Sequence, residues 1–468
     1  MRQKRPRSLP GKKKRVLILG LGQYPKGSGI SAAMFFAKLG AEVTVTDLKK
    51  AKDLAGNLSR LKRYRHIRYT LGRHNPADIR RSDLIVANPR VRPDAKELRL
   101  ARKLGIPVTS DIAVFLEQCP ATVIAVTGTR GKSTTSSMIA AMLKESGRCV
   151  WLGGNILVSP LTFLSRIRSG DVVVLELSSW QCESLPQNHS PHIAVVTNLL
   201  RDHLNTYGGM TDYAEAKAQI FRHQGTKDIV ILNSDDSYGK RWAKEAPGIV
   251  RTFGKSRSND ALYSARGIRS GSFSIAANDL QLLGEHNISN AAAAVLAAKA
   301  ASVPSGAIRR ALRSFRPLPY RLETVRMYRG VRYVNDTCAT TPDGTLAAYN
   351  AFKPHSKNMF FILGGADKML DYCELGRVFR RAKHRLRIFL LPGSASNKIE
   401  KELRGCAVRQ VRDLADAVIS SSGLAKAGDS VILSPGAASF DQFRNEFERG
   451  DMFVRLVKRL PRRAARKA

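Results

Sequence analysis

Short β-branched runs recur along the chain, each ending in glycine or a polar turn, and several lead into alanine-rich stretches with helical spacing. VLILGLG (16–22) precedes ISAAMFFAKLG (30–40), and AEVTVTD, DLIVANP and IPVTS follow before residue 111. A second series holds VIAVTGT (123–129), DVVVLELSS (171–179), HIAVVTN (192–198) and DIVILN (228–233), closed by the helical NISNAAAAVLAAKAA (287–301). A third holds VRYVNDT, NMFFILGG, RIFLLPGS and SVILSPG between residues 331 and 436. Strands that read as continuous apolar runs and alternate with helices build parallel sheets covered by helices, so the expected fold class is α/β. A chain of 468 residues exceeds one core, and boundaries are expected near 110–121 and near 314–321, where two prolines interrupt RSFRPLPYR.

The segment TGTRGKST (127–134) contains a Gly-Lys-Ser but breaks the usual phosphate-loop spacing, because Val126 stands where that pattern has its first glycine. Context favours a phosphate site all the same. A strand precedes the segment and the helical STTSSMIAAMLKESG follows, so loop N–H groups and a helix N-terminus would face a bound anion. Lys132 would then balance phosphate charge and Ser133 would offer its hydroxyl to Mg²⁺. Glu176 closes an apolar strand, where an ionised carboxylate is costly unless it meets a cation such as Mg²⁺. Asp202 and His203 follow another strand; a structural histidine is the alternative there. LGLGQYPKGSG, with Gly22 and with Asp47 at the next strand end, resembles a dinucleotide fingerprint with too long a loop, so a phosphorylated nucleotide other than NAD or a plain turn fits it.

Net charge is +40, with eight Lys or Arg in residues 1–15 and seven in residues 454–468. Such a field attracts polyanions, so salt-sensitive, nonspecific nucleic-acid binding is expected, although no RNA-binding, zinc-finger or homeodomain pattern is present. The six cysteines are scattered, without C-x-x-C pairs or histidines at zinc spacing, which favours reduced thiols and a cytoplasmic location. The basic N-terminus before VLILGLG is not a signal peptide in this reading, since the apolar piece is short and lacks a cleavage site. No apolar run approaches the ~18 residues of a membrane span.

Taken in order, GTRGKST, GGNI, LELSSWQ, DHLN, AKAQIF, GEHNISN, YRLE, NDTCATT, LGGADK and LSPGAASFDQF resemble the Mur ligases of peptidoglycan synthesis. The last two point to the branch that adds D-glutamate. The resemblance implies a basic tail (1–14), a Rossmann-like domain for the UDP substrate (15–115), a central ATP-binding domain (116–316), a Rossmann-like amino-acid domain (317–455) and a second basic tail (456–468). It implies that the carboxylate of UDP-MurNAc-L-alanine takes the γ-phosphoryl of ATP, and that the amine of D-glutamate attacks the resulting acyl phosphate. Positioning and charge neutralisation supply most of such catalysis.

Carried over by motif, Gly128, Thr129, Gly131, Lys132, Ser133 and Thr134 would hold ATP phosphates, with Asn287 and Asn290 at the adenine and Arg321 and Asp336 at the nucleotide. Ser133 and Glu176 would hold one Mg²⁺, while His203 and a carbamylated Lys217 would serve a second. Lys132, Glu176, His203 and Lys217 form the expected catalytic set. Carbamylation needs a neutral amine, yet a pKa near 10.4 leaves roughly one lysine in two thousand neutral at pH 7, so burial or nearby positive charge has to help. Without the family, YAEAKAQIF reads as a helix with Lys217 solvated on its surface. Gly22, Asp47, Asn155, Ser178 and Gln181 would serve the UDP substrate. Thr340, Lys368, Ser439 and Phe447 would serve D-glutamate.

Departures from the family pattern affect details of the substrate sites. Cys338 replaces a lysine, NEFERG places Glu446 or Phe447 where an aromatic is usual, ANPRV replaces a Ser-Pro-Gly, Tyr320 replaces a histidine, and Arg130 stands where asparagine is frequent. An L-glutamate-adding ligase, a folylpolyglutamate-type ligase and a basic nucleic-acid-binding ATPase are the competing readings. A monomer that closes at the RPLPYR boundary is expected from the resemblance.

Overall fold

The computed structural model describes residues 14–202 and 206–461. These residues form three sheets, distributed over two compact units: residues 1–279 with 288–314, and residues 280–287 with 315–468.

In the first unit, sheet one contains β1 (Arg15–Leu19), β2 (Glu42–Asp47), β3 (Arg68–Leu71), β4 (Leu84–Ala87) and β5 (Val108–Thr109) in the order β3-β2-β1-β4-β5. Every pairing is parallel. Sheet two contains β6 (Thr122–Thr127), β7 (Val150–Gly154), β8 (Val172–Glu176), β9 (Ile193–Val196), β10 (Ile229–Asn233), β11 (Ile249–Gly254), β12 (Ala261–Ser264), β13 (Gly267–Ser270) and β14 (Phe273–Ala276). Its order is β14-β13-β12-β11-β10-β9-β6-β8-β7, antiparallel only at β12–β13 and β13–β14. The first strand in chain order of each of these two sheets, β1 or β6, lies inside it with later strands on both sides. Chain crossovers therefore diverge at the carboxyl ends of these strands and leave a crevice there, the usual ligand position in open α/β sheets.

One apolar cluster runs through both sheets of this unit, from Val16, Ile18 and Phe36 to Val123, Val173 and Phe221. Helix Asp111–Gln118 joins them by burying Ile112, Val114, Phe115 and Leu116 in that cluster. Ser110 caps it by accepting from the Ala113 N–H. The stabilising effect of such burial is about 25 cal/mol per Å² of apolar surface, which explains why two sheets with separate crevices form one compact body.

In the second unit, β15 (Glu323–Tyr328), β16 (Val331–Asn335), β17 (Met359–Leu363), β18 (Leu386–Leu390), β19 (Val408–Gln410) and β20 (Ser430–Leu433) lie in the order β15-β16-β20-β17-β18-β19. Only β15–β16 is antiparallel. Cores lie on both faces of this sheet, one containing Phe361, Phe379 and Ile388, the other Tyr333, Phe389 and Phe453.

Arg449, on helix Glu446–Arg459, is buried beside the ends of β16 and β20. Its guanidinium donates to Thr337 Oγ1 and to the carbonyls of Thr337, Ala437 and Ala438, at 3.0–3.3 Å. One charged fork thereby joins two strand-end loops to the helix. Arg449→Met keeps the stem but leaves these acceptors dry, so thermal and denaturant unfolding should show a loss of about 2–4 kcal/mol. A loss near zero would mean that the fork does not brace the loops.

Candidate active site

Residues 128–131 form a short loop between β6 and helix Lys132–Glu145. Gly128 and Gly131 have φ of +140° and +81°; a Cβ would lie 2.0 Å from Thr197 Oγ1 at the first and 2.1 Å from Asn290 Oδ1 at the second. Gly128, which also meets backbone nitrogens, is therefore required by close approach as well as by conformation, whereas at Gly131 the obstacle is one side chain and the left-handed φ carries the requirement. The segment after β9 clamps the loop: Thr129 N–H donates to the Asn198 carbonyl at 2.9 Å, and Leu200 N–H donates to Thr129 Oγ1 at 2.9 Å. Lys132, Ser133 and Thr134 occupy the helix's first turn.

Lys217 lies on helix Met210–Arg222 and is 1% exposed. Its Nζ donates to the Gly128 carbonyl at 2.8 Å, and Lys132 Nζ donates to the same carbonyl at 3.0 Å and to that of Thr129 at 3.1 Å. Burial, with the Lys132 charge adding to it, lowers the Lys217 pKa to about 7. The solvated surface lysine suggested by residue pattern alone is thus overturned, because that helix buries the Lys217 face against the loop.

Glu176, 2% exposed, ends β8 and is paired in register with Val126 of β6. Asn155 Nδ2 donates to its Oε1 at 2.8 Å, whereas Oε2 is buried with no hydrogen-bond partner. An orphaned carboxylate oxygen at this depth is the residue chemistry of a cation site. Among the described residues no three His, Cys, Asp or Glu side chains converge on a metal-sized site. Magnesium does not require such a cage, since it keeps waters and takes one or two carboxylates beside substrate phosphates. Glu176 and the Ser133 hydroxyl fit it. His203 lies outside the described residues.

Several of the other expected residues have structural partners as well. Asp47 accepts from the Gly22 N–H at 3.1 Å and the Lys49 N–H at 2.9 Å, so it organises its own glycine loop. Ser178 and Gln181 cap helix Ser179–Glu183 reciprocally: Gln181 N–H donates to Ser178 Oγ at 3.2 Å and Ser178 N–H to Gln181 Oε1 at 3.0 Å. Asn287 and Asn290 lie on the first turns of helix Glu285–Ala300, where Asn287 Nδ2 donates to the Leu283 carbonyl at 2.8 Å.

In the second unit, Thr340, Lys368 and Ser439 follow β16, β17 and β20. Lys368 Nζ donates to Thr340 Oγ1 at 3.3 Å, and a bridge between Ala366 and Ala438 brings the other two segments together. The Ser439 hydroxyl is buried without a partner. Phe447 packs edge-on against Tyr320, with ring centroids 5.4 Å apart. Asp336 accepts from Leu322 N–H at 3.1 Å and Ser434 Oγ at 2.8 Å. Burial raises the Cys338 thiol to about 11, so it carries no charge near neutrality, while Arg321 is the leading cation acting on it.

Family models match all three sheets: the Mur ligase MurD-like N-terminal domain at residues 14–110, the Mur ligase middle domain at 126–298, and the Mur ligase glutamate ligase domain at 320–436. A UDP-N-acetylmuramoylalanine–D-glutamate ligase of Roseiflexus sp. is 39% identical, the match covering 95% of this chain and 98% of the relative. The chain belongs to the Mur ligase family. A ligase with the same printed name from Acetivibrio thermocellus is 35% identical, with 95% and 96% covered. Among solved structures, the UDP-N-acetylmuramate–alanine ligase of Thermotoga maritima matches with a TM-score of 0.60 at 21% identity, covering 96% of this chain and 99% of that one. At that identity the likeness concerns the three-domain α/β fold.

Sequence reasoning did not find the Thr197–Asn198 clamp on the phosphate loop or the Arg449 brace. Thr and Asn just after a strand were a usable signal, because both are loop-fastening residues; a buried arginine had none. Glu176→Gln should leave the metal-free protein as stable as the parent, or more stable by about 1 kcal/mol, since an orphaned buried charge is removed. The same variant should lose at least about tenfold in Mg²⁺-dependent nucleotide affinity. A marked drop in melting temperature would instead make Glu176 a framework residue.

Proposed function

We propose that this Mur ligase joins D-glutamate to UDP-N-acetylmuramoyl-L-alanine at the expense of ATP, through an acyl phosphate. The observation that carries the reading is the grouping of Lys132, Lys217 and the orphaned Glu176 carboxylate around the loop after β6. The printed names of the relatives supply the amino acid and the acceptor.

In this reading, the loop amides, Lys132 and the helix N-terminus bind and orient the ATP phosphates. Glu176 and Ser133 hold Mg²⁺, and His203 with Lys217 serves a second ion. Bound magnesium neutralises charge on the transferring phosphoryl group. The family resemblance assigns Asn287 and Asn290 to the adenine and Arg321 and Asp336 to the nucleotide. The first crevice, with Gly22 and Asp47, takes the UDP portion, and Asn155, Ser178 and Gln181 lie toward the muramoyl end. Thr340, Lys368 and Ser439 bind the glutamate, where an ammonium and two hydroxyls suit a dicarboxylate, and Phe447 borders it through Tyr320. The family resemblance supports a cytoplasmic monomer. No described helix is long and apolar enough to cross a membrane.

Phosphate release from the purified protein should require Mg²⁺-ATP, UDP-N-acetylmuramoyl-L-alanine and D-glutamate together. Release with L-glutamate alone would reverse the stereochemical assignment, and release stimulated by nucleic acid without glutamate would favour the basic ATPase. No glutamate-dependent release with either isomer would sink the ligase reading.

Lys217 is the carbamate-bearing lysine in this reading. Its amine is about half neutral at pH 7, because its pKa is lowered to about 7. A pKa lowered in the folded protein makes the neutral form available above about 7 and removes it as pH falls below that value. With ¹³C-labelled CO₂ held constant, a carbamate ¹³C signal should grow with pH around that midpoint and be absent in Lys217→Ala. A signal that appears only near pH 10 would contradict the assignment.

A further inference from the structure

Arg130 stands inside the phosphate loop between Thr129 and Gly131, and the reaction outlined above assigns it no part. Its backbone is held on both sides: the N–H donates to Asn198 Oδ1 at 2.9 Å, and the carbonyl accepts from Thr197 Oγ1 at 2.6 Å and Asn198 Nδ2 at 3.2 Å. The side chain therefore leaves from a fixed point beside the loop amides. Its guanidinium lies 3.5 Å from the Asp202 carboxylate, with the arginine side chain 32% and the aspartate 13% exposed.

A partly exposed pair at this separation adds little to stability. Its geometric effect is larger, because a largely covered carboxylate on a loop next to β6 sets the direction of the guanidinium. Arginine offers a planar fork that matches phosphate oxygens bidentately, which a lysine ammonium does not. Lys132, the other cation of the loop, is a point charge drawn back onto the Gly128 and Thr129 carbonyls. The loop thus carries two cations of different geometry, and only one belongs to the shortened Gly-Lys-Ser pattern.

We propose that Arg130 is a second phosphate-binding cation of the loop, oriented by Asp202, and that it contributes to recognition of the phosphate chain of a nucleoside triphosphate. The proposal rests on the ATP-dependent reading above. Asp202 is a positioning residue here, acting through the guanidinium.

Full-length protein and Arg130→Asn and Arg130→Lys variants would be titrated calorimetrically with a non-hydrolysable ATP analogue and with adenosine. Thermal unfolding without nucleotide would be followed in parallel. For Arg130→Asn we expect analogue affinity to fall by about tenfold or more, adenosine affinity to stay within about twofold, and the salt dependence of analogue binding to become shallower. Melting of the nucleotide-free protein should be unchanged, and Arg130→Lys should retain part of the affinity because it keeps the charge without the fork. Analogue binding equal to the parent's would overturn the assignment. So would equal losses for analogue and adenosine with a lowered melting temperature, which would make Arg130 a strap for the loop. Failure of the parent protein itself to bind the analogue would overturn the ATP reading and this inference together, whereas parent binding unaffected by Arg130→Asn overturns only the latter.

Discussion

Two lysine nitrogens converge on the carbonyl of Gly128, and the rest of the first unit's site depends on how that carbonyl is held. Gly128 can turn it toward both amines because its φ is +140°, and Thr197 and Asn198 lock the residues that follow. Two ammonium groups on one acceptor repel each other, and one of them is almost wholly buried. The less costly state neutralises the buried one, which is the direction of the Lys217 shift. Burial thus favours the neutral form of this amine, and the Lys132 charge adds to that preference.

Three buried polar groups illustrate two different situations. Arg449 is charged and buried but fully engaged with backbone and hydroxyl acceptors, so it holds loops in place. Glu176 Oε2, at the end of β8, and the Ser439 hydroxyl, in the segment after β20, are buried and unpartnered. Folding alone does not select an unpaired buried oxygen, because desolvation is lost without a hydrogen bond in return. A ligand that completes these groups gives a physical reason for retaining them.

Much of the α/β architecture was legible because interior strands of a parallel sheet are apolar on both faces. VIAVT and DVVVLE differ from surrounding sequence however they are paired. The strands that escaped include the sheet-edge strands Arg68–Leu71, Val150–Gly154, Glu323–Tyr328 and Val408–Gln410, and also Ile249–Gly254, an interior strand that alternates exposed and covered residues, with the short strands of Ala261–Ala276 that follow it. The Gly-Lys-Ser loop was legible because sequence-local geometry forms it. Burial of Lys217 was not, because it depends on the loop some ninety residues earlier. Nor could sequence show that Ser178 and Gln181 cap each other or that Asp47 fastens Gly22, since the same residue types serve as ligands or as caps. Arg130 looked anomalous by itself, and its ion pair with Asp202 could not be read from the sequence.

Arg321 shows how the second unit spends conformational energy near its site. Its neighbours Tyr320 and Leu322 have φ of +66° and +48°, each a left-handed conformation costing about 1–2 kcal/mol for a side-chain-bearing residue. Tyr320 is held by its N–H on Glu323 and its hydroxyl on Asp451, and Leu322 by its N–H on Asp336. Those contacts fix two strained residues so that the arginine between them stays exposed. A relaxed extended segment would satisfy the backbone equally well in water, so the left-handed residues persist because these side-chain contacts over-determine them. Asp336, held in turn by Ser434, is thereby the anchor of the turn on which Arg321 stands.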